Sequence, residues 1–183
     1  MKTPKAKKIA KELTIHNHTR TDNYYWINDR ENQEVLDYLK DENNYTDDKL
    51  KHTKELQNEL YEEIVGRLDK NEQSVPYFSD GYYYSQRYVE GKEYPIFGRK
   101  KGSLEAKEEV LIDQNELAQD QSYFGIGNIG ICSNNKILAY SVDFLSRRLY
   151  TIYFENLETG EILEDEIPNT SGGFAWALNG KTI

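Results

Sequence analysis

The feature that most constrains this chain is a repeat in its second half. The segment Gly127–Lys136 is echoed 45 residues later by Gly172–Lys181. Ile129 maps onto Phe174, Ile131 onto Trp176 and Lys136 onto Lys181. The hairpin signal Ser79-Asp80-Gly81, leading into Tyr82-Tyr83-Tyr84, reads as a looser third copy. A period of about 40–50 residues with about four short strands per unit is the pattern of a β-propeller blade. The other strand-like runs are Tyr94–Phe97, Val110–Ile112, Lys136–Val142 and Tyr150–Phe154, set off by turns at Glu90-Gly91-Lys92, Lys100-Lys101-Gly102 and Glu158-Thr159-Gly160. A single blade cannot bury its faces, and closed rings use ~4–8 of them. The sequence stops at Thr182-Ile183, just into the strand that would correspond to Ile137–Tyr140. It is therefore expected to be the N-terminal part of a longer protein, marginally stable alone.

The first 70 residues obey a different rule. Residues 31 to 68 hold no proline and only Gly66 among glycines, and their apolar residues recur with helical spacing. Val35, Leu36 and Leu39 predict a short amphipathic helix. A second, longer helix is expected after Thr46-Asp47-Asp48, where acids suit the positive end of the helix dipole. At about 100° per residue, Leu50, Leu56, Leu60, Ile64 and Leu68 share one half of the wheel, widened by Tyr61 and Val65. Lys51, Lys54, Asn58 and Glu62 occupy the other half. Such a broad apolar stripe needs something to pack against.

Composition narrows the function classes. The 183 residues carry 23 Lys+Arg against 32 Asp+Glu, a net charge of −9, which argues against nucleic acid because phosphate binding needs a concentrated basic patch. No run approaches the ~18–20 apolar residues of a membrane span. The basic start, Met1–Lys8, is not followed by an apolar segment, so no export signal is read and a cytoplasmic location is expected. Cys132 is the single cysteine, which excludes an internal disulfide and reads as a small buried hydrophobe. Fifteen tyrosines point to aromatic-rich strands.

Few residues carry the marks of a catalytic or binding site. Gly125, Gly127 and Gly130 spell Gly-x-Gly-x-x-Gly, but the motif precedes a strand rather than a helix, and tight strand-to-strand turns are the reading preferred over a dinucleotide site. His16 and His18 would face one side if extended, yet only Asp22 lies near as a further ligand, so no metal site is assigned. His52 falls on the polar side of a helix, and Ser171 has no histidine near it in sequence, which leaves it a loop serine. Glu62-Glu63, Glu108-Glu109 and Asp165-Glu166 read as solvated surface, and the Tyr82–Tyr84 run as strand packing. No catalytic, cofactor-binding or metal-binding residue is assigned.

Several segments together resemble a known family. Asp22–Asp29, preceded by His16 and Arg20, resembles the opening signature of prolyl-oligopeptidase-type serine peptidases, and the longer match resembles their oligopeptidase B branch. The matching segments are Tyr61–Arg67, Ser74–Tyr77, Gly91–Ile96, Arg99–Ser103, Leu138–Ser141 with Arg147, Arg148, Tyr150 and Thr151, and Ile167–Gly172 with Trp176. They span essentially the whole chain. Departures are Asn17, where the family usually has Gly, and Asn28, where it often has Arg.

The resemblance implies a mostly β fold with an N-terminal helical arm, followed by the opening blades of a seven-bladed β-propeller, incomplete here, with the hydrolase domain absent. Residues 1–70 would be the arm, whose two helices pack on an α/β-hydrolase domain. Residues 71–183 would be the first blades, and Lys70–Pro76 a hinge. Arg20, Asp22, Tyr24 and Trp26 match the family's motif and are expected to serve a structural, interdomain role. Enzymes of this kind cleave short peptides after Arg or Lys with a Ser-Asp-His triad, while the propeller restricts access. Short basic peptides and the missing hydrolase domain are then the expected partners, with no cofactor, and the chain alone is expected to be inactive. The competing expectation is a non-catalytic propeller module for binding or interaction. A propeller glycosidase stands further off, because no separated carboxylate pair can be picked out.

Overall fold

Asn32 opens the helical part of the chain by accepting a hydrogen bond from the Glu34 backbone N–H at 2.9 Å, which satisfies one donor that the first helical turn leaves free. The structure is a computed structural model describing residues 1–183. It divides into two compact units, Met1–Leu68 and Asp69–Ile183.

The first unit begins with a hairpin, β1 (Lys11–Ile15) and β2 (His18–Asp22), with Leu13 opposite Arg20. His16 and Asn17 form its turn with φ of 49° and 60°. A 3₁₀ turn over Tyr25–Asn28 leads to α1 (Gln33–Leu50). A second 3₁₀ turn, Lys51–Thr53, separates α1 from α2 (Lys54–Val65). Two helices were expected, but the division between them differs from the sequence reading. The first is the longer, 18 residues against 12, and it runs straight through Thr46-Asp47-Asp48. Thr46 does not cap a helix there: its hydroxyl donates back to the Glu42 carbonyl at 3.0 Å, the mid-helix habit of threonine. Asp48 instead accepts from the α-ammonium of Met1 and from Lys51, each at 2.9 Å. Both partners hold the Asp48 carboxyl down at about 2. Only Val35 is buried in the helices, and Leu56, Leu60, Tyr61 and Ile64 are exposed.

The second unit holds two antiparallel sheets of four strands each, both in simple sequence order. The first comprises β3 (Tyr77–Ser79), β4 (Tyr82–Arg87), β5 (Ile96–Lys101) and β6 (Glu108–Asp113). After a single helical turn, α3 (Gln114–Leu117), come β7 (Gly125–Ile131), β8 (Ile137–Asp143), β9 (Tyr150–Asn156) and β10 (Glu161–Thr170). Asp80 and Gly81 close the β3–β4 hairpin with φ of 46° and 87°, the paired positive φ of a two-residue turn whose twist matches its strands.

The repeat is visible bond by bond. Cys132 N–H donates to the Ile137 carbonyl at 3.0 Å, and Ala177 N–H to the Thr182 carbonyl at 2.8 Å. Asn135 N–H reaches Cys132 O at 2.9 Å just as Gly180 N–H reaches Ala177 O at 3.0 Å, and Asn135 and Gly180 share φ near 60°. The side chains of Asn134 and Asn179 each accept from the backbone N–H two residues on, at 3.1 and 2.9 Å. Residues 171–183 form this turn without entering a regular strand.

β8 is the buried centre of the unit. Leu138, Tyr140 and Val142 pack with Tyr84, Leu111 and Ile112 of the first sheet and with Phe124. Ala139, pointing the opposite way, joins Ile152 and Phe154 with Phe174 and Trp176. The period-2 alternation of a strand thus feeds two cores from one element.

Candidate functional site

Trp26 is the hub of the N-terminal motif. The 3₁₀ turn swings its indole toward α1, where it meets Tyr38 edge-on at 6.1 Å, while its Nε1–H donates to the Lys7 carbonyl at 2.9 Å. The Lys7 ammonium lies 5.4 Å from the indole centroid and pairs with Glu34 of α1. Asp22, at the end of β2, accepts from the Tyr24 N–H at 2.9 Å and so starts the 3₁₀ turn that aims Trp26. Tyr24 is largely exposed, and Arg20 is exposed on β2. The structure therefore gathers Asp22, Tyr24 and Trp26 into one local assembly that pins the first nine residues to α1, and leaves Arg20 facing outward. Nothing in this assembly is placed for acid–base or nucleophilic work.

In the second unit, polar groups converge on the seam between the two sheets. Tyr77, Tyr84, Arg99 and Glu109 stand in one cross-strand row of the first sheet. Tyr77 and Tyr84 stack at 5.3 Å, and Tyr84 and Phe97 at 6.1 Å. Arg99, only 3 % exposed, is held bidentately by Glu109 at 2.8 and 3.0 Å and lies 4.1 Å over the Tyr82 ring. The Tyr84 hydroxyl crosses the seam to the Asn135 side-chain oxygen at 3.2 Å, and Asn135 Nδ2 returns to the Asp80 carbonyl, also at 3.2 Å. Burial pushes the Tyr84 hydroxyl up, against a smaller downward pull from Arg99. A cavity of about 160 Å³ lies here, walled by Tyr77, Asp80, Tyr84, Phe97, Ile129 and Asn135.

Several sequence readings need correction. Gly125, Gly127 and Gly130 lie inside β7, not in turns, because neighbouring side chains press on the strand. A Cβ at Gly127 would sit 2.7 Å from Ser141 Oγ, and one at Gly130 would sit 2.8 Å from the Phe174 ring. His16 is in the hairpin turn and His18 in β2, so the extended arrangement that would direct both rings to one side does not form. Glu108 and Glu109 are not free surface: Glu108 holds Arg87 at 2.9 Å and Glu109 holds Arg99. Cys132 is buried, as read, with its thiol on Asn134 Oδ1 at 2.9 Å and the Ile137 N–H on its sulfur. The cross-strand Arg–Glu pairs were missed because residues 10 and 21 apart carry no periodic signal before the strand register is known.

Comparison with known proteins gives this arrangement a context. Residues 4–183 match the family model described as prolyl oligopeptidase, N-terminal beta-propeller domain. Dipeptidyl aminopeptidase BI of Pseudoxanthomonas mexicana is 39% identical over 195 aligned residues, covering 97% of this chain and 27% of that protein. Protease 2 of Moraxella lacunata is 35% identical over 190, covering 100% of this chain and 28% of its own length. The chain thus spans about a quarter of the length of the curated relatives it matches. Among solved structures, oligopeptidase B from Leishmania major superposes with a TM-score of 0.86 at 25% identity, over 96% of this chain and 27% of that one.

Proposed function

Because the chain belongs to the prolyl oligopeptidase family through its N-terminal β-propeller domain, we propose that it supplies the arm and opening blades of a cytoplasmic serine oligopeptidase that hydrolyses short peptides after Arg or Lys. The observation that carries this reading is the family match along residues 4–183, laid over two four-stranded blades and a helical arm. In this account residues 1–70 form the arm and 71–183 the blades, with Lys70–Pro76 as a hinge. Asp22, Tyr24 and Trp26 fix the shape of the arm, and exposed Arg20 together with the apolar face of α2 meets the hydrolase domain. The blades narrow the route to the active site, so that flexible peptides pass and folded proteins do not. The serine, its activating histidine and the orienting aspartate belong to the hydrolase portion, where the histidine accepts the serine proton.

A second reading, removal of dipeptides from a free N-terminus, is favoured by the similarity to a protein named dipeptidyl aminopeptidase BI. One assay separates the two. Protein carrying these residues joined to a hydrolase portion is given the same Arg-containing peptide with its N-terminus free or acetylated. Equal cleavage after Arg of both forms, abolished by a serine-directed phosphonate, is the expected result. Cleavage of the free form alone would replace endopeptidase action with dipeptidyl release, and no inhibitor-sensitive cleavage of either would leave a non-catalytic propeller module.

A further inference from the structure

The loop between β8 and β9, residues 144–149, carries the adjacent pair Arg147-Arg148. Both arginines are exposed, neither has an ion-pair partner, and Leu145 and Leu149 beside them are exposed as well. In composition and exposure this is a cleavage site for any peptidase that cuts after basic residues. Its backbone is a different matter. Asp143, 1 % exposed at the end of β8, accepts from the Leu145 N–H at 2.8 Å through Oδ1, and from the Arg147 and Arg148 N–H groups at 2.9 and 2.7 Å through Oδ2. Ser146 and Arg148 are both held at φ of 56°. That region is costly for residues with a Cβ and is kept only where the surroundings over-determine it. Peptidases of this kind bind their substrates in extended form, with the backbone N–H groups around the scissile bond free to pair.

We infer that Asp143 is a lock that keeps the exposed Arg147-Arg148 pair from being a proteolytic processing site. Its carboxylate ties up the N–H groups of both arginines and curls the chain away from the extended form. Cleavage then requires local opening, and its rate follows the population of the open loop. Burial pushes the Asp143 carboxyl up, but the converging backbone N–H groups pull it further down, so the net direction is down and the group stays ionised near neutral pH. If the basic-residue specificity proposed above holds, the lock also shields the protein from its own activity. The test does not depend on that reading.

Limited digestion with trypsin, followed by mass spectrometry, reads the individual bonds. Hydrolysis adds water across the Arg147–Arg148 or Arg148–Leu149 amide, leaving an arginine carboxylate and a new amine. In the native chain these bonds should survive while the bond between exposed Lys70 and Asn71, outside any helix or strand, is cut. Asp143→Asn retains one acceptor oxygen and loses the other, and cutting after Arg147 or Arg148 should rise at least tenfold. Because Asp143 is buried, cutting between Lys100 and Lys101 in β5 is followed in parallel as a gauge of general unfolding. Ser146→Val, at an exposed position, strains the left-handed backbone while keeping the Asp143 carboxylate itself, and should raise loop cutting with β5 still protected. Native loop bonds cut as fast as the Lys70–Asn71 bond would overturn the inference. So would loop cutting that rises only in step with β5 in Asp143→Asn and stays unchanged in Ser146→Val.

Discussion

At Gly130 a ring edge decides the residue. Phe174, its neighbour from the next repeat, leaves no room for a methyl group, since a Cβ would fall 2.8 Å from the ring. The indole N–H of Trp176 bonds the Gly130 carbonyl at 3.0 Å, which fixes the approach from a second point. Gly130→Ala is accordingly expected to destabilise the fold by about 1–3 kcal/mol, the usual cost of overpacking. Urea unfolding measures it, and Phe174→Ala in the same chain should recover part of the loss. Gly130 was legible as a letter, but its reason was not, because it lies in the Phe174 side chain, 44 residues away. Tyr140 gives a second test at this scale. Burial, with Glu155 and Tyr153 nearby, pushes its hydroxyl up to about 12 from 10.0. A folded-state value above the unfolded one stabilises fully below pH 10 and loses that contribution as pH climbs toward 12. Thermal melts from pH 9 to pH 12 should therefore fall more steeply for the native chain than for Tyr140→Phe.

At the scale of elements, signals written locally were readable and those written across the sheet were not. The Asp80-Gly81 hairpin, the strand around Val110–Ile112 and the Glu158–Gly160 turn follow from turn chemistry and β-branched runs. β10 escaped because it is an edge strand, exposed along most of its length, interrupted by register shifts and containing Pro168. Edge positions tolerate all of these and imprint no alternation. The β1–β2 hairpin escaped for a related reason: only Leu13 among its apolar residues is even partly buried in β1. In the helices the apolar spacing was legible, while the break was misplaced because Thr46 and Asp48 resemble a helix start but are used inside α1. The stripe on α2 also yields a prediction. Leu60 is 47% exposed, so Leu60→Ser should leave the stability of the 183-residue chain within about 0.5 kcal/mol while lowering its binding of a hydrophobic dye. In a protein that includes the hydrolase portion the same change should lower the melting temperature. Equal effects in both settings would remove α2 from the proposed interface.

For the whole molecule, the repeat was the informative signal, and it survives at the level of individual hydrogen bonds between residues 132–137 and 177–182. The resemblance to prolyl oligopeptidases was also legible from short motifs spread along the chain, and the family match covers residues 4–183. The Arg99–Glu109 and Asp143 arrangements could not be read in advance, because each depends on strand register or loop curvature that the sequence does not display. The proposed division of labour, in which these residues shape and gate while a hydrolase portion does the chemistry, is open to direct test. The decisive measurement is turnover of an acetylated Arg-containing peptide by the purified 183-residue chain beside a protein that continues into the hydrolase portion. The account expects no turnover from the first and turnover sensitive to a serine-directed inhibitor from the second. Inhibitor-sensitive turnover by the 183-residue chain itself would contradict it.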